Sequence, residues 1–236
     1  MTKDKVAIIE TDEGEVIPVP GGFRAARCPK PWEVPEAVRE HFRRAHASLR
    51  RAQSNCLVIA VCSLSREEGV SYVTAKLACA AAEIEDSVFL LDANRYRPSQ
   101  EYIFGFGTTS DSCLVSTETP NMIVCKTSWP SLSVVLPGDS APGDYGPPAG
   151  LCRALTSMRS LAGMIFVDCE ALRESSQVVQ LASAVDGVLF VVEAERERRE
   201  AIADAVAQLK RADIPVLGLI VNKQRRYLPA MLYRAL

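Results

Sequence analysis

Val58-Ile-Ala-Val-Cys-Ser-Leu-Ser-Arg-Glu-Glu-Gly-Val-Ser71 reads as an apolar strand, a turn containing Gly69, and the start of a helix. The apolar positions of that helix include Val70, Val73, Leu77 and Ala81. Strand, glycine turn and helix are the frame of a phosphate-binding loop, in which backbone N–H groups and the positive end of the helix face the phosphates. Such a loop ends Gly-Lys-Ser/Thr. Here the three positions are Gly69-Val70-Ser71, so the frame is present and its lysine is missing.

Short apolar runs recur on both sides of this stretch. Ser87-Val-Phe-Leu-Leu-Asp92 and Gly163-Met-Ile-Phe-Val-Asp168 read as buried strands that each end in an acid. Met122–Val124, Leu132–Leu136, Gly187–Val192 and Val216–Val221 read as further strands. Helices are expected after Gly69 to about Ala82, and over about 149–160, 174–184 and 195–211. Continuous apolar strands alternating with helices predict a doubly wound, mostly parallel α/β sheet. In such sheets the ligand sits at the carboxyl ends of the strands, which here carry Ser63 with Gly69, Asp92 and Asp168. An acid after a buried strand can hold Mg²⁺ or orient a nucleophile.

Upstream, residues 1–34 hold a short candidate strand (Val6 to Ile9) and then a run of prolines and glycines, an extended leader. Residues 35–236 read as a single domain, of a size that supports one large core. Its first helix spans about Pro35 to Ala52, with Val38, Phe42, Ala45, Leu49 and Ala52 on one stripe. Arg39, Arg43, Arg44, Arg50 and Arg51 lie off that stripe, as a solvated face or a charged docking surface.

The net charge is −2, which supplies no global attraction to nucleic acid or acidic lipid. None of the eight cysteines forms a Cys-x-x-Cys pair, and Cys56, Cys62, Cys79 and Cys169 sit in apolar runs. They are expected to be reduced, buried hydrophobes of a cytoplasmic protein. No apolar run reaches the ~20 residues that span a bilayer. The N-terminus does not read as a signal peptide. Membrane association is therefore expected only through a partner.

Taken together, Val61–Ser71, Val88-Phe-Leu-Leu-Asp-Ala-Asn-Arg-Tyr-Arg-Pro-Ser99, Val134–Gly138, Ile165–Asp168, Val185–Val192 and Leu217–Asn222 resemble a known family. It is the cytoplasmic domain of the bacterial tyrosine kinases of capsule and exopolysaccharide synthesis, within the MinD/ParA-like P-loop ATPases. The likeness runs through roughly residues 35–225, in the family's order. The resemblance implies a nucleotide site at Ser65, Arg66, Glu68, Gly69, Val70, Ser71, Tyr72 and Asn222. It implies ATP–Mg as cofactor, with Ser71, Asp92 and Asp168 toward the metal and the two acids in the catalytic role. It also implies an oligomerisation helix carrying Glu40, Arg43 and His46, phosphorylated tyrosines near the C-terminus (Tyr227, Tyr233), and a homo-oligomer. Its partner would be an inner-membrane polysaccharide co-polymerase, the chain-length determinant, with this chain cytoplasmic and peripheral to that membrane. Nucleic acid is not an expected partner.

The departures fall on the chemistry. Val70 stands where the family has lysine, and Asp92-Ala93-Asn94 where it has Asp-x-Asp. Asp168-Cys169-Glu170 stands where it has Asp-x-Pro, and His46 replaces the last arginine of Glu-x-x-Arg-x-x-Arg. Losing a hydrogen bond to a charged group costs about 1.5–3 kcal/mol, and losing a transition-state donor about 10²–10³ in rate. With that resemblance, these departures imply a catalytically inactive, kinase-like subunit that regulates polysaccharide synthesis and export. The alternatives are an active tyrosine autokinase with an atypical loop, in which Arg66 substitutes for the lysine, and a MinD/ParA-type positioning ATPase.

Overall fold

The structure, a computed structural model, describes residues 36–52, 56–106, 122–137 and 148–223, with the strand segments 6–7, 19–20 and 114–115. Most of the proline-rich leader and the tail bearing Tyr227 and Tyr233 lie outside the described residues.

In chain order the elements are β1 (Val6–Ala7), β2 (Val19–Pro20), α1 (Glu36–Ala52), β3 (Leu57–Ser63), α2 (Val70–Ala81), β4 (Val88–Asp92), α3 (Gln100–Phe104) and β5 (Leu114–Val115). They continue with β6 (Met122–Lys126), β7 (Leu132–Pro137), α4 (Pro148–Met158), β8 (Met164–Asp168), α5 (Gln177–Gln180), β9 (Gly187–Glu193), α6 (Arg199–Arg211) and β10 (Val216–Asn222). Strands β1 and β2 pair with each other, and the rest form one sheet in the order β10-β9-β3-β8-β4-β7-β6-β5. Pairing is parallel from β10 through to β7. The last two pairings, β6 with β7 and β5 with β6, are antiparallel. The sequence thus forms the doubly wound, mostly parallel sheet expected of it.

The strand residues sort by parity, as side chains that alternate across a pleated sheet must. Val58, Ala60 and Cys62 of β3 join Ile165 and Val167 of β8 in the core under α4, α5 and α6. Leu57, Ile59 and Val61 join Met164 and Phe166 in the core under α1 and α2. Helix α2 buries mostly small residues against the sheet, Thr74, Ala75, Ala78, Cys79, Ala80 and Ala81, together with Leu77. Phe42 anchors α1 against Phe166, with ring centroids 6.2 Å apart. Ala45, expected on the buried stripe, is exposed, and the side chains of Val38, Leu49 and Ala52 lie outside the described residues.

Three other expectations shift. The helix read over 174–184 shrinks to Gln177–Gln180, and the Gln177 side chain bonds to other segments, accepting from the Glu170 N–H and donating to the Ala93 carbonyl. The helix read from 195 starts at Arg199, after Glu195 takes a positive φ of 64°. A five-residue helix, α3, forms where no helix was read.

At the N-terminal edge of the sheet, the Arg159 guanidinium grips both carboxylate oxygens of Asp186 at 2.9 and 3.0 Å. It also donates to the carbonyls of Cys56 and Ala184. Asp186 in turn accepts from the Val58 N–H at 2.7 Å. This network ties α4 to the starts of β3 and β9, opposite the edge where the strand-ending acids lie.

Candidate functional site

The strand order β3-β8-β4 brings the ends of these three strands side by side. Asp168 pairs in register with Asp92 on one side and with Val61, two residues before Ser63, on the other. Gly69 follows on the same edge, as the N-cap of α2. A cavity of about 370 Å³ opens there, lined among others by Arg66, Glu67, Val70, Ser71, Arg97 and Glu170.

Gly69 is fixed twice over. Its φ of 87° lies in the left-handed region, which side chains disfavour. A Cβ there would meet Asn222 Nδ2 at 2.2 Å. Asn222 approaches so closely because its amide donates to the Glu68 carbonyl at 2.8 Å, tying the end of β10 to the loop. Glu68 is wholly buried. One of its carboxylate oxygens accepts from the Ser65 N–H at 2.7 Å and the other from the Glu193 N–H at 2.8 Å. Glu68 is therefore a brace of the loop. Ser65 is held from the other side, its hydroxyl donating to Glu197 at 2.6 Å.

Val70 packs its side chain toward the α1–α2 core and also lines the cavity. Among the described residues, the cations around that cavity are engaged. Arg66 pairs with Glu174 at 2.7 Å and lies over the Tyr96 ring. Arg97 pairs with Glu67 at 2.9 Å, and Arg95 with Glu170 at 3.2 Å. Lys223 donates to Glu193 at 3.2 Å and to the Glu67 carbonyl. Tyr72 is exposed and lines the cavity beside Ser71.

Asp92 and Asp168 are fully buried. Asp92 Oδ2 accepts from the N–H groups of Ser99 and Gln100, both at 2.8 Å, and Oδ1 from Asn94 N–H at 3.3 Å. Asp168 Oδ2 accepts from Gln100 Nε2 at 2.7 Å, and the Ser71 hydroxyl also bonds to this carboxylate. Burial pushes the Asp168 carboxyl up to about 6, against the pull of the Ser71 and Gln100 hydrogen bonds. Burial first, and Asp168 second, raise Asp92 well above the usual carboxylate range.

Do these residues suit Mg²⁺ with a nucleotide? Asp168 Oδ1 has no hydrogen-bond partner, which suits an ion. The other features do not. Asp92 spends its oxygens on backbone N–H groups, Asp168 Oδ2 is taken by an amide, and the position for the phosphate-binding cation is Val70. Among the described residues no cluster of three or more His, Cys, Asp or Glu is arranged to hold a metal. As arranged, the donor set does not fit the pair.

Gln100 is the participant that sequence reading missed. A glutamine after Arg97-Pro98-Ser99 carries no local signal, since its partners are 29 and 68 residues away. The residues read as an interface, Glu40, Arg43 and His46, are all engaged within the chain. Glu40 pairs with Arg44 at 2.9 Å, Arg43 with Glu36 and Glu83, and His46 with Glu85. Among the described residues no helix is long and apolar enough to cross a membrane.

No protein-family model matches the chain. It is 25% identical over 192 residues to the tyrosine-protein kinase CpsD of Streptococcus agalactiae, covering 78% of this chain and 82% of that one. It is 20% identical over 192 residues to the putative tyrosine-protein kinase CapB of Staphylococcus aureus, covering 79% and 84%. Among solved structures it resembles the chimerical protein CapA2B2, with a TM-score of 0.66, 14% identity, and coverage of 85% and 94%. It also resembles the septum site-determining protein MinD complexed with Mg-ADP from Pyrococcus horikoshii OT3, with a TM-score of 0.58, 18% identity, and 76% of each chain covered. In sequence the chain is thus similar to bacterial tyrosine-protein kinases, and its fold is that of the MinD/ParA P-loop proteins.

Proposed function

We propose that this chain is a kinase-fold protein without phosphoryl transfer. It acts as a cytoplasmic regulatory subunit of capsule or exopolysaccharide synthesis, docked on an inner-membrane polysaccharide co-polymerase. The observation that carries the reading is the lack, among the described residues, of a free cation where the terminal phosphates would lie. Val70 replaces the lysine, and Arg66, the nearest substitute, is already paired with Glu174. Phosphoryl transfer depends on positioned positive charge over the transferred group. Without it, both ground-state binding and the transition state lose their main electrostatic support. The homology to bacterial tyrosine-protein kinases supports the pathway, and the retained fold supports a role through surfaces.

The test has two arms. Purified protein is incubated with Mg²⁺ and γ-labelled ATP, and the expected result is neither label on the chain nor released phosphate. Stoichiometric label on Tyr227 or Tyr233 would overturn the inactive reading in favour of an autokinase. In the second arm, the chain is expected to be retained by the cytoplasmic ends of a co-polymerase encoded near it. No retention would remove the partner assignment.

A further inference from the structure

The polar groups beneath the loop are arranged in an unusual way. Gln100 is fully buried, and its amide nitrogen donates to two acceptors, the Ser71 carbonyl at 3.0 Å and Asp168 Oδ2 at 2.7 Å. Both partners can only accept in this arrangement, so it is the nitrogen end of the carboxamide that faces them. The same residue's backbone N–H donates to Asp92 Oδ2 at 2.8 Å. One residue thus supplies donors to both acids that end β4 and β8, and to the first turn of α2.

Two buried carboxylates on adjacent strands need a compensating positive group or donors. In this chain no arginine or lysine bonds to either acid among the described residues. The donors are the Ser71 hydroxyl, backbone N–H groups, and the Gln100 amide. A primary amide presents a partial positive charge on its N–H groups, and here it bridges Asp168 and the start of α2.

We propose that the Gln100 carboxamide is a built-in stand-in for a cation: it bridges Asp168 and the first turn of α2, so that the site keeps its shape with no ion bound. The segment from Asn94 to Ser99 is held by the same device, since Asp92 captures the N–H groups of Asn94, Ser99 and Gln100. The loop edge is then a fixed feature of the surface, independent of nucleotide state. This deepens the reading of the chain as a regulatory subunit and rests on it for the absence of phosphoryl transfer.

Mn²⁺ alone, without nucleotide, is the probe, so the result is separate from the labelled-ATP test. Thermal unfolding of the full chain is compared in EDTA and in Mn²⁺, and free Mn²⁺ is counted by electron paramagnetic resonance. Wild type should unfold at the same temperature in both and retain no Mn²⁺. Gln100→Glu turns the donor into a third acid. It should unfold earlier in EDTA, recover in Mn²⁺, and retain the ion where wild type does not. Gln100→Leu removes the amide donor from Asp168 Oδ2, leaving the Ser71 hydroxyl, without adding charge, and should gain Mn²⁺ retention. Stabilisation of wild type by Mn²⁺ equal to that of Gln100→Glu would overturn the proposal. So would a folded Gln100→Glu indifferent to both conditions. If Gln100→Glu fails to fold with or without the ion, Gln100→Leu decides, and no gain in Mn²⁺ retention overturns the proposal.

Discussion

Gln100 and Asp168, 68 residues apart in the chain, are joined by an Nε2–Oδ2 hydrogen bond of 2.7 Å in a fully buried place. The bond locks α3 to the end of β8. Asp168 is also the group whose proton equilibrium folding changes in a measurable way. Its carboxyl sits near 6 in the folded chain, raised by burial, against about 3.9 for an unfolded aspartate.

The first expected outcome concerns pH. A carboxyl raised on folding favours the native state while protonated. Its contribution is fully present below about pH 4 and is lost as pH rises through about 6. Asp92 is raised as well and acts in the same direction. Asp168→Asn should flatten the part of the stability curve that falls between pH 4 and pH 6. Denaturant unfolding of both proteins across that range checks it, and parallel curves would mean that Asp168 does not titrate there.

A second outcome concerns Val70. If the cavity can still admit phosphates, Val70→Lys should raise nucleotide affinity by about ten- to hundredfold. Isothermal titration with ADP–Mg²⁺ reads this directly. No change would mean that the pairs Arg66–Glu174 and Arg97–Glu67 close the cavity against the ligand.

A third outcome concerns Gly69. Gly69→Ala combines a left-handed φ, costing about 1–2 kcal/mol for an L-residue, with a contact of 2.2 Å to the Asn222 amide. The loss of stability should therefore exceed that of the backbone term alone. Asn222→Ala in the same chain should recover the excess, because it removes the atom that clashes. Additive losses in the double variant would contradict the close approach.

The frame of this site was legible in the sequence, and its filling was not. Apolar runs such as Val88–Leu91 and Met164–Val167 announce strands buried on both faces, and a parallel sheet leaves few places for their terminal acids. The loop was readable because a strand, Gly69 and a helix occur in local order. Gln100, Gln177 and Glu68 act through side-chain hydrogen bonds that reach distant segments, at separations of 68, 84 and 125 residues. No periodicity records such a bond. The charges of α1 were read by spacing along the helix, whereas two of their partners, Glu83 and Glu85, follow α2.

A fourth outcome concerns Arg159, whose guanidinium satisfies Asp186 and two carbonyls at the far edge of the sheet. Arg159→Ala leaves those acceptors short of donors and should cost about 2–3 kcal/mol. The figure stays below that of a fully buried pair because the Arg159 side chain is 30% exposed. Urea unfolding checks it, and a loss under about 0.5 kcal/mol would show that water replaces the guanidinium freely.

The last outcome concerns α1. The oligomerisation helix that the resemblance implies needs Glu40, Arg43 and His46 free to meet a neighbouring copy. Here His46 is half-buried against Glu85, and Arg43 is shared between Glu36 and Glu83. Recruiting them to an interface would first break contacts that hold α1 to its own domain. Glu40 and Arg44 remain on the outer side, as an i,i+4 pair worth under about 1 kcal/mol. Self-association should therefore be weak, and Glu40→Ala/Arg43→Ala should leave the sedimentation coefficient unchanged at micromolar protein. Glu85→Ala should have the opposite sign. It releases His46, makes that side chain available to a second copy, and should raise the apparent mass. A stable oligomer in wild type that the double substitution dissolves would show that the intrachain pairs yield to the neighbour.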